Sequence, residues 1–582
     1  MSSFRSLGSL CACALTRTRY PCQELPASDV AAPKCQDAPG TSPHNRNLVY
    51  RYLERIHRSL SLAQEVTYIH SLRSFAAHTA SHGLSRWAAF AGGGVTTKAM
   101  HVVVDFLQDV YNVRLSIPTV LMSERDDQKR NFCINNHSEV PIHVKDVATL
   151  DQSAAANEKN SGQRVLLPAC GFLDGGVPCI SRTPLNSQSS RNIDCVQHQS
   201  SDTGVAFEAF RKVSLRHNPR MIVAECVTGL FQRSAPNKRN DSEYIVETLK
   251  TQGYWATGTQ LQAEEFGSWV PRHRGYWGAL LVQGDHDNMN KYFYNLLNSF
   301  KTTDAFVADD FIDFTEAQRQ ATSQRTGVPL LARFGPRESK ATKEDSGWKT
   351  DHYNIFRANA LEWPPNWTSA AKTSPSFIEH NGLYPREQEL VYVLDVLFPR
   401  PNGDCEFVDV NPAIGRVLSP FLEDGLGPVK EGTSSPWRAK SPTQVGSGTL
   451  VMRYRLRGED ALKHAPRQFG IRAVEGYEHM RMSGWDDSFW NCEANISNPM
   501  VAEDVFRMMN LAGNSYSIFH WVPWTLCLVS TFGQFAKCED CEQDAVSAPS
   551  ASEGDACSIE PLDSDADISS SPQSSLELIG DD

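Results

Sequence analysis

Apolar residues recur along this chain in short runs, separated by polar or glycine-rich segments. Over residues 46–75, Leu48, Tyr52, Ile56, Leu60 and Leu62 roughly follow helical spacing, which predicts an amphipathic helix or two. From Trp87 a second rhythm begins. Residues 87–90 read as a short strand entering Ala91-Gly92-Gly93-Gly94, and 97–111 have a helical period. Strands are predicted at 119–122, ending at Glu124, at 142–144, ending near Asp146, and at 165–167, entering the loop of Cys179. A helix over 202–217 places Ala206, Phe207, Phe210 and Val213 on one face. A strand over 221–224 ends at Glu225, and a helix over 242–252 is closed by Gly253. Strands alternating with helices predict an α/β fold with a mostly parallel sheet covered on both faces. Ligands of such sheets bind beyond the carboxyl ends of the strands. Gly92 to Gly94, Glu124, Asp146, Cys179 and Glu225 all fall just after predicted strands, on one rim.

The rhythm is lost over 286–460. Loops rich in Pro, Gly, Ser and charge (333–349, 423–447) alternate there with strand candidates at 391–397 and 450–456, which predicts an irregular inserted domain. Order resumes at 471–482, helical in character, then at Gly484-Trp485-Asp486-Asp487, and at Gly513-Asn514-Ser515. The longest apolar-looking stretch, 518–532, is interrupted by His520 and Pro523 and reads as buried strand or helix. No apolar run reaches the length that spans a membrane. The predicted organisation is a disordered segment (1–45), a helical extension (46–79), a sheet domain in two parts (80–285 and 461–537), the insert (286–460) and an acidic disordered tail (538–582).

Charge changes the picture only once it is divided. The net charge is −12, from 68 acidic and 56 basic residues. Thirteen of the acids lie in 538–582, which has no Lys or Arg, so the body holds 55 acids against 56 bases. A near-neutral body can still carry a basic groove, and an acidic tail either competes with phosphate for it or is a solvated appendage. Fifteen cysteines without regular short spacing point to a reducing compartment. Cys538 and Cys541 form a lone CxxC with no second pair nearby, so no metal is expected. The first 22 residues hold Arg5, Arg17 and Arg19 and no acid, the composition of an organelle transit peptide and also of plain disorder.

The segment Gly175-Gly176-Val177-Pro178-Cys179 carries the most chemistry. Glycines let a loop approach a ligand and proline stiffens the residue before the cysteine. Such a thiol is either an idle structural group or a nucleophile presented to substrate. Glu225 is either a surface acid or a desolvated carboxyl with a raised pKa. The glycine turn at 92–94 suits a nucleotide-like cofactor, and a dinucleotide site is the alternative.

The ordered set resembles the cytosine carbon-5 methyltransferases, which use S-adenosylmethionine, over 87–282 and 467–524. It carries Phe90-Ala91-Gly92-Gly93-Gly94, the acids Glu124 and Asp146, Pro178-Cys179, Glu225-Cys226-Val227, Val270-Pro271-Arg272-His273-Arg274 and Gly513-Asn514-Ser515. The resemblance implies a Rossmann-like methyltransferase sheet with an inserted target-recognition domain. It implies Cys179, Glu225 and Arg274 as catalytic residues. It implies Phe90, Ala91, Gly92, Gly94, Glu124, Asp146, Pro178 and Asn514 around the cofactor. In that frame Cys179 adds to carbon 6, Glu225 protonates at nitrogen 3, and Arg274 holds the base carbonyl or a phosphate. Glu124 would take the ribose hydroxyls and Asp146 the adenine amino group. The implied partner is DNA, with RNA as the alternative, reached by flipping the base. Trp363, Trp367, Arg333, Arg337, Lys340 and Lys343 would grip it. The implied location is the nucleus, with an organelle as the alternative. This chain departs from the family pattern in four places. Arg272 stands where the family has Gln, and Tyr276 where it has Arg. Ala88 replaces an acid before the glycine turn. Residues 180–183 differ from the usual loop, and 111–118 look like an insertion. These departures keep open a non-catalytic relative that binds cofactor or nucleic acid.

Overall fold

A seven-stranded sheet organises the chain, and its strand order fixes where a ligand can bind. The computed structural model describes residues 47–183, 188–333, 346–362, 374–399, 401, 403–410, 417–425, 427–442, 449–497, 512 and 516–536. The strands of the large sheet are β1 (Arg86–Ala89), β2 (Thr119–Ser123), β3 (Ile142–Val144), β6 (Phe172–Gly176), β7 (Met221–Cys226), β8 (Trp255–Gln262) and β9 (His273–Leu280). Their order is β3-β2-β1-β6-β7-β9-β8. All pairs are parallel except those made by β9, which runs against β7 and β8. The chain winds outward from β1 to β3, then returns to start again at β6. The winding therefore reverses between β1 and β6, and ligands of open α/β sheets bind at such a switch point.

Helices cover both faces. They are α3 (Val95–Tyr111), α4 (Asp127–Asn136), α5 (Ser201–His217) and α6 (Asp241–Thr251), with α1 (Leu48–Arg58) and α2 (Leu62–His82) before the sheet. The predicted amphipathic segment at 46–75 is thus two helices. Ser61 begins α2 with a reciprocal cap to Gln64. One apolar layer joins α1, α2 and α3 to α7 (His286–Ser299) and to the last described helix, α14 (Ile518–Phe535). The helix α14 is buried nearly all round from Ile518 to Gly533, which is why its sequence shows no polar face. Among the described residues no helix is long and apolar enough to cross a membrane.

A second sheet, β10-β13-β12-β11, is built from Phe377–Ile378, Phe469–Ala473, Leu450–Arg455 and Cys405–Asp409. Between the sheets in sequence lie α8 (Glu316–Thr326), α9 (Ser346–Ala358) and α10 (Pro385–Leu397). Three short helices follow, α11 (Gly458–Lys463), α12 (Gly476–Met482) and α13 (Cys492–Ser497).

Four sequence expectations change. The strand entering the Cys179 loop is β6, not 165–167. Val165 belongs to a hairpin of β4 (Ala154–Asn157) and β5 (Gln163–Leu166) outside the large sheet. Residues 391–397 are helix, because Pro385 starts α10 and Glu387 accepts from the Tyr384 N–H at 3.0 Å. Residues 471–482 combine the end of β13 with α12. Glu225 lies inside β7 rather than after it. The expected disordered segments, Asn514, Trp363, Trp367, Arg337, Lys340 and Lys343 lie outside the described residues.

Candidate active site at the switch point

The glycine turn leaves β1 in a left-handed conformation. Phe90, Gly92 and Gly94 have φ of 52°, 57° and 74°. A non-glycine residue in that region is strained, and such residues gather at functional sites. Gly94 cannot be replaced cheaply. A Cβ there would lie 2.6 Å from Met122 Cε and collide with the His137 ring. Two hydrogen bonds brace the turn from behind, from Cys133 Sγ to the Gly92 carbonyl (3.1 Å) and between His137 Nε2 and the Gly93 carbonyl (3.2 Å). From Gly94 the chain enters α3 without a side-chain cap, so backbone N–H groups at this end remain for a ligand. Ala91 is buried beneath the turn.

Glu124 is half-buried and holds the same turn. Its Oε2 accepts from the Gly92 N–H at 2.8 Å and its Oε1 from the Asp126 N–H at 3.0 Å. Burial raises its carboxyl above the usual range, against these hydrogen bonds and Lys129. Asp146 is exposed at the end of β3, and its Oδ1 accepts from the Ala148 N–H at 2.9 Å. Both acids therefore stand on the rim, each already holding backbone.

The strand β6 brings in the cysteine. Gly175 and Gly176 are strand residues, and Val177, Pro178 and Cys179 leave the sheet immediately after them. Cys179 is half-buried, and its carbonyl accepts from the N–H groups of Arg182 (2.9 Å) and Thr183 (3.0 Å). Arg182, buried, pins this loop. It donates to the Ser189 carbonyl at 2.6 Å and to Gln232 Oε1 at 3.2 Å, and it also reaches the Gly229 carbonyl. Sequence reasoning passed over Arg182, although a buried guanidinium in a loop needs several carbonyl partners and so fixes the loop.

Glu225 stands in register with Gly176 on one side and Tyr276 on the other, so all three share a face of the sheet. Arg274, two residues before Tyr276, lies on that face too. Its Nε–H donates to Glu225 Oε1 at 2.9 Å, with both side chains largely buried. Its Nη1 donates to the His273 carbonyl at 2.8 Å. The residue expected to hold the base or a phosphate thus first holds the glutamate. Burial raises the Glu225 carboxyl, and the charges of Arg274 and Arg272 pull it back. Burial pushes the Cys179 thiol up, Arg274 and Arg272 lower it, and Glu225 raises it again. Burial and the Arg274 charge bring the Arg272 guanidinium down to about 10. Cysteine, glutamate and two arginines therefore act on one another within one cluster.

Two groups on the same face were not legible beforehand. Arg86 and Asp174 form a fully buried ion pair at 2.8 Å. The guanidinium also donates to Thr96 (2.6 Å), Thr97 (3.0 Å) and Thr119 (2.8 Å), tying β1, β2 and β6 to the first turn of α3. Asp174 is the register partner of Ala88, so a carboxylate stands one strand away from the alanine. From the far end of the chain, Tyr516 and His520 pack over this face. The Tyr276 and His520 rings are 5.6 Å apart, and Tyr516 lies against Gly176.

Among the described residues no group of three or more His, Cys, Asp or Glu is placed to hold a metal ion. No family model and no curated protein matches the chain. Solved structures do. The S. pombe Dnmt2 methyltransferase aligns at 14% identity and a TM-score of 0.35, covering 77% of this chain and 98% of that one. A protein described as a DNA modification methyltransferase, encoded within an E. coli prophage, gives 13% and 0.34 over 78% and 99%. The Entamoeba histolytica methyltransferase EhMeth gives 10% and 0.33 over 78% and 99%. The fold class stands on the strand order described above: an α/β chain with a seven-stranded, mostly parallel sheet and a reversed β9, similar to these methyltransferases.

Proposed function

We propose that this protein transfers a methyl group from S-adenosylmethionine to carbon 5 of cytosine in DNA. One observation carries the reading: the glycine turn after β1, the Cys179 loop after β6 and the Glu225–Arg274 pair on β7 and β9 meet at the switch point of one sheet. The cofactor supplies an electrophilic methyl group on a sulfonium. The residues present suit it: an uncapped helix start behind the turn, two rim acids and a bare glycine face. Phe90, Ala91, Gly92, Gly94, Glu124, Asp146 and Pro178 would hold it.

Carbon 5 of cytosine is a weak nucleophile. Addition of the Cys179 thiolate at carbon 6 makes it enamine-like. Glu225, whose carboxyl burial raises towards taking up a proton, would pass that proton to nitrogen 3 and neutralise the charge that this addition creates. Arg274 sets the carboxyl in place and, with Arg272, favours the thiolate. Once carbon 5 carries the methyl group, its proton leaves to a base and the carbon–sulfur bond to Cys179 breaks, restoring the ring and the enzyme. The target base must leave its duplex to reach this pocket.

Incubation with labelled S-adenosylmethionine and DNA is expected to transfer label, and Cys179→Ala is expected to lose it. A parallel incubation with RNA separates the two polymers. Absence of transfer to any cytosine-bearing nucleic acid refutes the reading, and cofactor binding without transfer turns it to a non-catalytic relative.

A further inference from the structure

The cofactor side and the base side of the site meet over Gly176. Gly175 pairs with Ala89 on one flank and Ala224 on the other, so Gly176 is level with the start of the glycine turn and in register with Glu225. A Cβ on Gly176 would lie 3.5 Å from Glu225 Oε2. The bare face of this residue is thus a narrow gap, with room for about one methyl group between Tyr516 and the carboxyl.

Tyr516 is the third wall of that gap. Its Cε2 and Cζ would lie 3.1 and 3.4 Å from the same Cβ. The ring is buried, at 4% exposure, and among the described residues its hydroxyl has no hydrogen-bond partner. A buried phenol ordinarily finds one. Burial first, and then the charges of Asp174 and Glu225, push its pKa up, so its surroundings disfavour an anion. An aromatic ring and an unpartnered oxygen beside a carboxylate suit a cation that brings no N–H of its own.

We propose that Tyr516 senses the charge of the methyl donor. Its ring and hydroxyl oxygen lie against the sulfonium of S-adenosylmethionine and favour that cation over the neutral thioether, S-adenosylhomocysteine, left after transfer. This inference rests on the methyl-transfer reading. It gives the site a means of releasing product: the contact that holds the donor weakens when the charge is gone. A cation on a desolvated aromatic ring gains enough to change a ratio of affinities about tenfold.

The test is calorimetric and needs no turnover. Dissociation constants for S-adenosylmethionine and S-adenosylhomocysteine are measured on the full chain, wild type and Tyr516→Leu, with folding checked by thermal unfolding. The wild type is expected to prefer the sulfonium, and Tyr516→Leu to reduce that preference about tenfold. A reduction smaller than about threefold overturns the inference. Where Tyr516→Leu does not fold, Tyr516→Met, which fills the space with neither ring nor hydroxyl, is held to the same threshold. Wild-type protein that binds both ligands with an unchanged ratio in the variant overturns this inference alone. Wild-type protein that binds neither overturns the methyl-transfer reading and this inference with it.

Discussion

Gly176→Ala separates stability from function at this site. Gly176 is a strand residue outside the left-handed region, so its backbone accepts a side chain. Removing glycine freedom from the unfolded chain stabilises by about 0.4–1 kcal/mol. Against this, the added methyl group stands 3.1 Å from Tyr516 Cε2, and an over-packed methyl costs about 1–3 kcal/mol where nothing gives. With a shift of the ring edge by the few tenths of an ångström required, the two effects nearly cancel, and without it the cost stands. The net change is expected within about 2 kcal/mol, a few degrees in melting temperature. With ligand bound, the methyl group occupies the gap itself, and the full 1–3 kcal/mol falls on the complex. That is a loss of about 10- to 100-fold in cofactor affinity or transfer rate at limiting cofactor. Scanning calorimetry and initial rates with labelled donor measure the two quantities on one preparation. Transfer within about threefold of wild type, at an unchanged melting temperature, refutes the placement of the gap. A collapse in stability refutes the packing argument instead.

The same substitution in the turn after the neighbouring strand should behave oppositely. Gly94→Ala forces φ of 74° on a residue with a side chain and drives its Cβ into Met122 and His137. The expected loss is about 2–5 kcal/mol in urea unfolding, so here stability falls together with binding. Arg274→Gln leaves the Glu225 carboxylate buried without its guanidinium and is expected to cost about 3 kcal/mol at pH 8. Burial already raises this carboxyl, so its protonated form is the one the fold favours, and the cost should shrink towards pH 5. Equal costs at both pH values count against an ionised pair. His57 is held neutral by burial, with its pKa lowered from 6.5 to about 4. Its contribution of roughly 3 kcal/mol is fully present above pH 6.5 and is lost as pH falls through 4. Unfolding free energy followed from pH 7.5 to 4.5 should fall less steeply in His57→Phe.

Four strands of the large sheet were legible because they are apolar runs closed by turns. β3 was predicted at its observed limits, and β1, β2 and β7 within a residue or two. The exceptions have physical causes. Residues 165–167 look like a core strand because Val165, Leu166 and Leu167 are contiguous, yet Leu166 is 80% exposed in a peripheral hairpin. The true strand, Phe172–Gly176, carries an aspartate and two glycines, a composition that argues against a strand. The structure explains both. Asp174 is neutralised by Arg86, and a Cβ on Gly175 would lie 2.8 Å from the Phe210 ring of α5. Residues 391–397 misled through β-branched valines. Burial on all sides of α10 removes the polar face that would have shown a helical period.

The candidate site divides the same way. The glycine turn announces itself because it follows a recognisable strand, Glu225 because an apolar run leads into it, and Cys179 because of its Gly-Pro loop, although the sequence pattern puts its strand at 165–167 instead of β6. What shapes the pocket between them does not follow strands. Arg86 and Asp174 are 88 residues apart in sequence, and neither gains meaning until β1 and β6 are neighbours. Tyr516 arrives from the far end of the chain, and its place against Gly176 depends on α14 packing beneath α2 and beside β9. Local pattern fixes which residues reach the rim. Long-range packing decides which of them face one another, and at this rim it turns Arg274, expected to hold the base, inward to Glu225 and sets a phenol across from that carboxyl. If the pocket is to distinguish a charged donor from its neutral product, that discrimination therefore comes from the part of the site that no local motif encodes.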